Sequence, residues 1–425
     1  MLRALYSLML FVATPLIVVR LLWRGLKQPD YRRHWGERWG MSAIPALEHS
    51  IWIHAVSVGE MRAAQPLVKR LQTEFDDYPI VITCMTPTGR ATAAELYGDS
   101  VTCRYLPYDF FTLHRRLIAQ LKPKVLLVME TEIWPNLLAA CATEAVPALL
   151  VNARMSEKSA RGYGKLAPVR ILVKEALGSL HIVAAQTAED ASRLATLGAK
   201  RTAVTGNVKF DMPIDPALIA IGKDWRRQLM GKKVLLAAST RDGEEALLID
   251  GYLRAFSAAE RDSILFVVVP RHPQRFDDVA RLLTSGDLKF SRRSSAVPST
   301  IDQAWLGDSM GEMAAYIAMA DVVFVGGSLL PLGGQNLIEA CAQGKPVLMG
   351  PSTFNFADAS KQAIAAGGML QAADADGVMR LAGDLLKNAA KRDEMGAAAL
   401  AFARAHAGAT EKTMGLIAPL LTTPR

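Results

Sequence analysis

Cysteine is scarce in this chain: there are four in 425 residues (Cys84, Cys103, Cys141 and Cys341), with no Cys-x-x-Cys pair and no zinc-ligand spacing. A disulfide scaffold and a structural zinc module are thereby excluded, and the thiols read as reduced and buried. G-x-G-x-x-G, G-x-x-x-x-G-K-[ST] and H-E-x-x-H are also missing, which removes the standard dinucleotide fold, the P-loop NTPases and the common zinc proteases. The seven histidines are scattered, with no ligand pair at helical spacing. No nucleic-acid module signature occurs. Glycine (31) and proline (21) stand at ordinary levels, so collagen-like and low-complexity readings fall away. What remains is a chain that is 51% apolar and 21% charged, enough for a large core divided over two or three domains.

Acid is the scarcer charge, 41 residues against 49 Lys and Arg, and it is scarcest at the start. Residues 1–40 hold seven basic groups and two acidic ones (Asp30 and Glu37). Within them, Ala4–Val19 is a run of sixteen uncharged residues. At 1.5 Å per residue this run reaches about 24 Å, and continuing through Trp23 with Arg20 snorkelling it reaches about 30 Å, the thickness of a bilayer core. A cleaved signal peptide is the alternative, but no small-residue cleavage site follows the run. The sequence therefore predicts an uncleaved anchor over 1–24. The basic collar behind it (Arg24, Lys27, Arg32, Arg33) favours an anionic lipid surface and places the body on the cytoplasmic side.

The body alternates short Val/Ile/Leu runs with helical stretches, as parallel α/β units do. Strands are expected at Ile51–Val56, Ile80–Cys84, Val125–Met129, Ala148–Val151, His181–Ala185 and Ala203–Thr205, then at Val234–Ala238, Ile264–Val269, Asp321–Val325 and Pro346–Met349. A proline-bearing connector, 209–216, separates the halves. The expected architecture is α/β, with two doubly wound domains facing a cleft, 25–212 and 213–425, behind the anchor.

Doubly wound sheets carry their ligand groups on loops beyond the carboxyl ends of the strands. Glu60, in His54-Ala55-Val56-Ser57-Val58-Gly59-Glu60, falls at such a strand-to-helix turn. It reads either as a general base or as a first-turn glutamate complementing the helix dipole. Glu130 and Glu132 follow the third strand run; Glu130 is suited to stabilising positive charge on a sugar ring, while Glu132 reads as a cap. Arg154 suits a phosphate or a neighbouring acid. Lys209 at the connector reads as a surface cation or as a mobile charge for the site. In the second half, Pro270-Arg271 closes a strand with a stiff cationic turn, and the arginine fork fits phosphate. Gly307–Glu312 leads into a helix, where exposed N–H groups favour anions. Gly326-Gly327-Ser328 follows a buried strand. Asn336 and Glu339 have capping-box spacing, and the glutamate is alternatively placed to accept ribose hydroxyls. Together these loops describe a nucleotide-phosphate pocket with no carboxylate cluster for Mg²⁺.

The runs HAVSVGE, TPTG (86–89), LPYD (106–109), METEIWPNL, NARMSEKS, GNVKFD, VPRHPQRF, GDSMGEM, FVGGSL, GGQNLIEA and VLMGPSTFNF follow one another through the body. In this the chain resembles the 3-deoxy-D-manno-octulosonic acid (Kdo) transferases of Gram-negative lipopolysaccharide synthesis, over nearly its whole length. The resemblance implies a GT-B fold and inverting transfer from CMP-Kdo to a lipid A precursor, without a metal or other cofactor, at the inner membrane. It also implies Glu60 as proton acceptor and Glu130 and Lys209 as transition-state stabilisers. Pro270-Arg271, Met310-Gly311-Glu312 and Asn336-Leu337-Ile338-Glu339 are implied as CMP-binding segments. Competing expectations are a relative acting on another nucleotide sugar (a transferase or an epimerase) and a non-catalytic, membrane-anchored lipid-binding scaffold.

Overall fold

The structure is a computed structural model and describes residues 2–42 and 47–422. It divides into two compact units, one formed by Met1–Met212 with Ala407–Arg425, the other by Pro213–His406.

The first unit is built on seven parallel strands: β1 (Ser50–His54), β2 (Ile80–Cys84), β3 (Thr102–Tyr105), β4 (Pro123–Met129), β5 (Ala148–Ala153), β6 (Ile182–Ala185) and β7 (Thr202–Val204). Their spatial order is β3-β2-β1-β4-β5-β6-β7. Ile51 lies opposite Ile80 on one side and Val125 on the other, so β1 is the centre of the sheet. Consecutive side chains leave a strand on opposite faces, and both faces are covered here. Ile51, Ile53, Val125 and Leu127 enter one core; Trp52, Leu126, Val128 and Leu150 enter the other. Double coverage explains why these strands read as continuous apolar runs.

The second unit repeats the plan with β8 (Lys233–Thr240), β9 (Ile264–Pro270), β10 (Phe290–Arg292), β11 (Ala304–Leu306), β12 (Val322–Val325), β13 (Val347–Met349) and β14 (Met369–Gln371), in the order β10-β11-β9-β8-β12-β13-β14. In each sheet the chain leaves the central strand to one side and later returns to the other, next to β1 and next to β8. Those reversals are where doubly wound sheets bind ligands.

Three sequence expectations are corrected. The second unit does not run to the C-terminus as 213–425. Helix Ala409–Thr422 belongs to the first unit, where Met414, Ile417 and Leu421 complete the core. The Asp211 carboxylate accepts hydrogen bonds from Gly408 N (2.6 Å) and Thr410 N (2.5 Å) at the start of that helix. The first helix runs Leu2–Lys27, past the expected boundary at 24. It is the one helix among the described residues long and apolar enough to cross a membrane, and Phe11, Val12 and Leu16 are about 70% exposed. Its start is not free, however: Tyr6 Oη donates to Asp109 Oδ2 (3.0 Å), and Asn136 Nδ2 donates to Ser7 Oγ (2.9 Å). The strand expectations omit β3, β10, β11 and β14, which are three or four residues long.

Candidate active site

In the first unit the loops after β3, β2, β1, β4 and β5 follow one another along the carboxyl edge of the sheet. Behind β1, Ser57 caps helix Val58–Ala63 by accepting from Glu60 N. The Glu60 carboxylate folds back over this turn, taking Val56 N–H (2.8 Å) and the Ser57 hydroxyl (3.1 Å). The first-turn position anticipated for this glutamate is therefore present, and it coexists with a perturbed acid. Burial pushes the Glu60 pKa up to about 8, the negative charges of Glu130 and Glu132 add to the rise, and the Val56 and Ser57 hydrogen bonds oppose it. A carboxylate poised near neutrality is what a general base requires.

Behind β4, Glu130 adopts φ +57°, a left-handed conformation that costs a non-glycine residue about 1–2 kcal/mol. Its Oε1 meets Lys209 Nζ at 2.8 Å, with both side chains about one-fifth exposed. Lys209 is delivered by a short turn, Val208–Asp211. Asn207 Oδ1 accepts from Lys209 N (3.0 Å), and Asn152 Oδ1 accepts from Val208 N (3.1 Å). Asn152, itself at φ +53°, thus ties the lysine turn to the end of β5. Glu132 accepts from Trp134 Nε1 (2.8 Å) rather than capping a helix through a backbone N–H. The fold brings Glu60, Glu130 and Lys209 into one electrostatic cluster from loops spread over 150 residues of chain. Asn152 and Ser57 were not singled out from sequence, because an asparagine ending a strand and a serine before a helix have many uses.

The second unit sets Pro270 at the end of β9, and Arg271 N donates to Thr240 O (2.9 Å). After β11, Gly311 turns at φ +82°, Met310 is 55% exposed, and Glu312 is held by Arg293 Nη2 (2.9 Å) and the Ser309 hydroxyl (2.5 Å). The run Gly307-Asp308-Ser309-Met310-Gly311 has the spelling G-x-S-x-G of a hydrolase elbow. Ser309 meets Glu312 and Tyr316, with no histidine on its hydroxyl among the described residues, so the nucleophile geometry is absent. After β12, Gly327, Gly333 and Gly334 all have positive φ. Asn336 Nδ2 donates to Glu339 Oε1 (3.0 Å), and Asn336 Oδ1 accepts from Ile338 N (3.1 Å), ordering the Asn336–Glu339 turn. Sequence reading missed Glu244. It is fully buried, and its carboxylate accepts from the backbone N–H of Arg241 (2.9 Å), Gly327 (2.5 Å) and Leu329 (2.9 Å), so it fixes the glycine loop. Among the described residues, no group of three or more His, Cys, Asp or Glu side chains is arranged to hold a metal ion.

Two doubly wound parallel sheets of seven strands, with acid–base groups on one carboxyl edge and glycine turns beside arginines on the other, define a two-domain α/β protein of the GT-B fold. Solved structures agree on the fold. Anabaena Alr3699/HepE in complex with UDP gives a TM-score of 0.61 at 13% identity, covering 88% of this chain and 100% of that one. A Rickettsia africae glycosyltransferase gives 0.60 at 12%, covering 89% and 100%. The profile of the family described as 3-deoxy-D-manno-octulosonic-acid transferase (kdotransferase) matches residues 33–212. The chain is 43% identical to the 3-deoxy-D-manno-octulosonic acid transferase of Bordetella pertussis, covering 97% of this chain and 98% of the relative. It is 35% identical to that of Haemophilus influenzae, covering 99% of each. The chain belongs to the 3-deoxy-D-manno-octulosonic acid transferase family and is a glycosyltransferase.

Proposed function

We propose that the protein transfers Kdo from CMP-Kdo, with inversion, to a hydroxyl of a lipid A precursor, with Glu60 as general base. The observation that carries this reading is the buried Glu60 carboxylate, raised to about 8 beside two further acids at the central switch of the first sheet. Glu60 takes the proton of the acceptor hydroxyl as its oxygen attacks the anomeric carbon. Bond breaking to CMP leaves oxocarbenium character, which the Glu130 carboxylate offsets, and negative charge on the departing phosphate, which Lys209 offsets. Their 2.8 Å pairing keeps both side chains oriented in the resting protein.

The second unit, in this reading, takes the nucleotide. A CMP-sugar carries a single phosphate, within reach of an arginine fork and free backbone N–H groups, without a chelated metal. Pro270, Arg271, Met310, Gly311, Glu312, Asn336, Leu337, Ile338 and Glu339 form the donor seat. The first unit takes the acceptor. The helix Leu2–Lys27, with Arg24, Lys27, Arg32 and Arg33 at its end, holds the protein at the inner membrane with the body on the cytoplasmic side, where an acylated acceptor resides.

The test is incubation of the purified full chain with CMP-Kdo or UDP-sugars and a tetraacylated lipid A precursor, with products weighed by mass spectrometry. Kdo-sized mass additions with CMP-Kdo alone, unaffected by EDTA, are expected. Transfer from UDP-sugars only, or epimerisation of the sugar, overturns the donor assignment.

A further inference from the structure

A 2-ulosonic acid carries its carboxylate on the anomeric carbon itself, the carbon that also bears the phosphate in a nucleotide-activated donor. Such a donor brings two anions to one point, and Arg271 answers only one of them. The second unit holds another cation next to it, Arg241, unused by the proposed chemistry. β8 and β9 pair with Thr240 opposite Pro270, and Arg271 N donates to Thr240 O (2.9 Å). Arg241 therefore follows the end of β8 as Arg271 follows the end of β9, on strands about 4.8 Å apart. Both charges reach His272: burial lowers its pKa, and Arg241 and then Arg271 lower it further.

The chain is bent to place Arg241. Between Ala238 and Thr240 the pairing with β9 slips by one residue, and the extra residue, Ser239, takes φ +55°. A bulge re-aims the side chains that follow it, and left-handed backbone is unfavourable for a serine. This bend lies at the carboxyl end of the central strand, where the sheet order reverses. The nearby Arg275 is spent on Asp242, Glu245 and Asp278. The Arg241 guanidinium, by contrast, has no hydrogen bond or ion pair among the described residues. Gly327 turns beside it at φ +68°, and a Cβ there would stand 3.0 Å from Gln335 Nε2 and 3.6 Å from Arg241 Cγ. The missing side chain leaves a gap flanked by a guanidinium stem and an amide donor, both half-buried.

We propose that Arg241 and Gln335 seat the carboxylate of the donor's sugar acid, beside the Arg271 that receives its phosphate. This rests on the CMP-Kdo reading above and adds the groups that select an acidic sugar. The guanidinium fork matches both carboxylate oxygens in one plane, and the Gln335 amide supplies a further N–H. A donor with a neutral sugar leaves the Arg241 charge unanswered, so the same pair discriminates against it.

The test uses the full chain in detergent with CMP-Kdo as donor and CMP as inhibitor. Arg241→Gln raises KM for CMP-Kdo tenfold or more, as loss of a charged contact predicts, while the inhibition constant of CMP stays within twofold. Gln335→Ala raises the same KM about threefold and also spares CMP, as loss of a neutral hydrogen bond predicts. The C1 amide of CMP-Kdo, read as a competitor, binds native and Arg241→Gln proteins alike. Unchanged CMP affinity reports in the same assay that the nucleotide loops are folded. A parallel loss of CMP affinity would put Arg241 on the phosphate and overturn the carboxylate seat. An unchanged KM for CMP-Kdo, or equal weakening of acid and amide, overturns it too. Should the native protein transfer no Kdo, the activity reading fails separately. Calorimetric affinities for CMP-Kdo and CMP, taken without acceptor on native and Arg241→Gln proteins, then still read the seat.

Discussion

The two units share a seven-stranded parallel plan but differ in how their carboxyl edges use glutamate. In the first, Glu60 is buried with two donors and two neighbouring carboxylates, and its proton affinity rises to about 8. In the second, Glu244 is buried with three backbone N–H donors and serves as a pin for the Gly326–Leu329 turn. Saturating a buried carboxylate with N–H groups makes it a structural part, whereas burial that its hydrogen bonds do not offset, with like charge adding to it, raises its proton affinity. The backbones differ in the same sense. Positive φ falls on Glu130 and Asn152 in the first unit, where the strain aims side chains. In the second it falls largely on glycines such as Gly311, Gly327 and Gly333, which adopt it without a Cβ penalty and let the loop turn tightly.

The comparison breaks most directly at Glu60. Glu60→Gln should lower kcat by about 10²–10⁴, as loss of a general base does, with CMP binding to the other unit unchanged by calorimetry. Turnover near the native rate would remove the distinction. The same substitution bears on stability. A carboxyl group whose folded pKa lies above its unfolded value favours folding fully below the unfolded value, near 4.5, and loses that contribution as pH rises toward about 8. The glutamine protein should therefore gain thermal stability relative to the native one at pH 8, and the gain should vanish near pH 4.5.

On the opposite edge, Arg271→Ala should weaken CMP binding by about 1.5–3 kcal/mol, the worth of one charged hydrogen-bonded contact, while leaving acceptor KM in place. Equal affinities for native and variant proteins would turn Arg271 away from the nucleotide.

A smaller effect sharpens the electrostatics. Because a base acts deprotonated, kcat/KM should rise with pH through about 8. Glu130→Gln removes one of the charges holding Glu60 up, so the acidic limb of the profile should move to lower pH even as the plateau falls. A limb that stays in place would show that the Glu130 charge does not contribute to the raised value.

The smallest effect concerns the first helix. Tyr6→Phe deletes one hydrogen bond to the buried Asp109 and should cost about 1–3 kcal/mol in chemical denaturation. No change would mean that the Tyr6–Asp109 bond does not hold the helix and leave that role to contacts such as Asn136 to Ser7.

Much of this was legible beforehand. The runs at Ile80–Cys84, Val125–Met129 and Ile264–Val269 read as strands because parallel strands covered on both faces must be apolar throughout. The short strands β3, β10, β11 and β14 were not legible, since three or four residues carry no period. Glu60, Glu130 and Lys209 were marked by loop position. Glu244 was not, because its partners Gly327 and Leu329 lie more than eighty residues away.

The sequence by itself determined the alternation of apolar runs and helices, the apolar start with its basic collar, and the acids and arginines that end particular strands, because each is a local property of neighbouring residues. Tertiary structure alone decided that Glu130 meets Lys209, that Glu60 is buried beside like charges, and that helix Ala409–Thr422 returns to the first core. Each of these depends on which strands lie side by side and how far water is shut out, and the distance between residues along the chain carries neither.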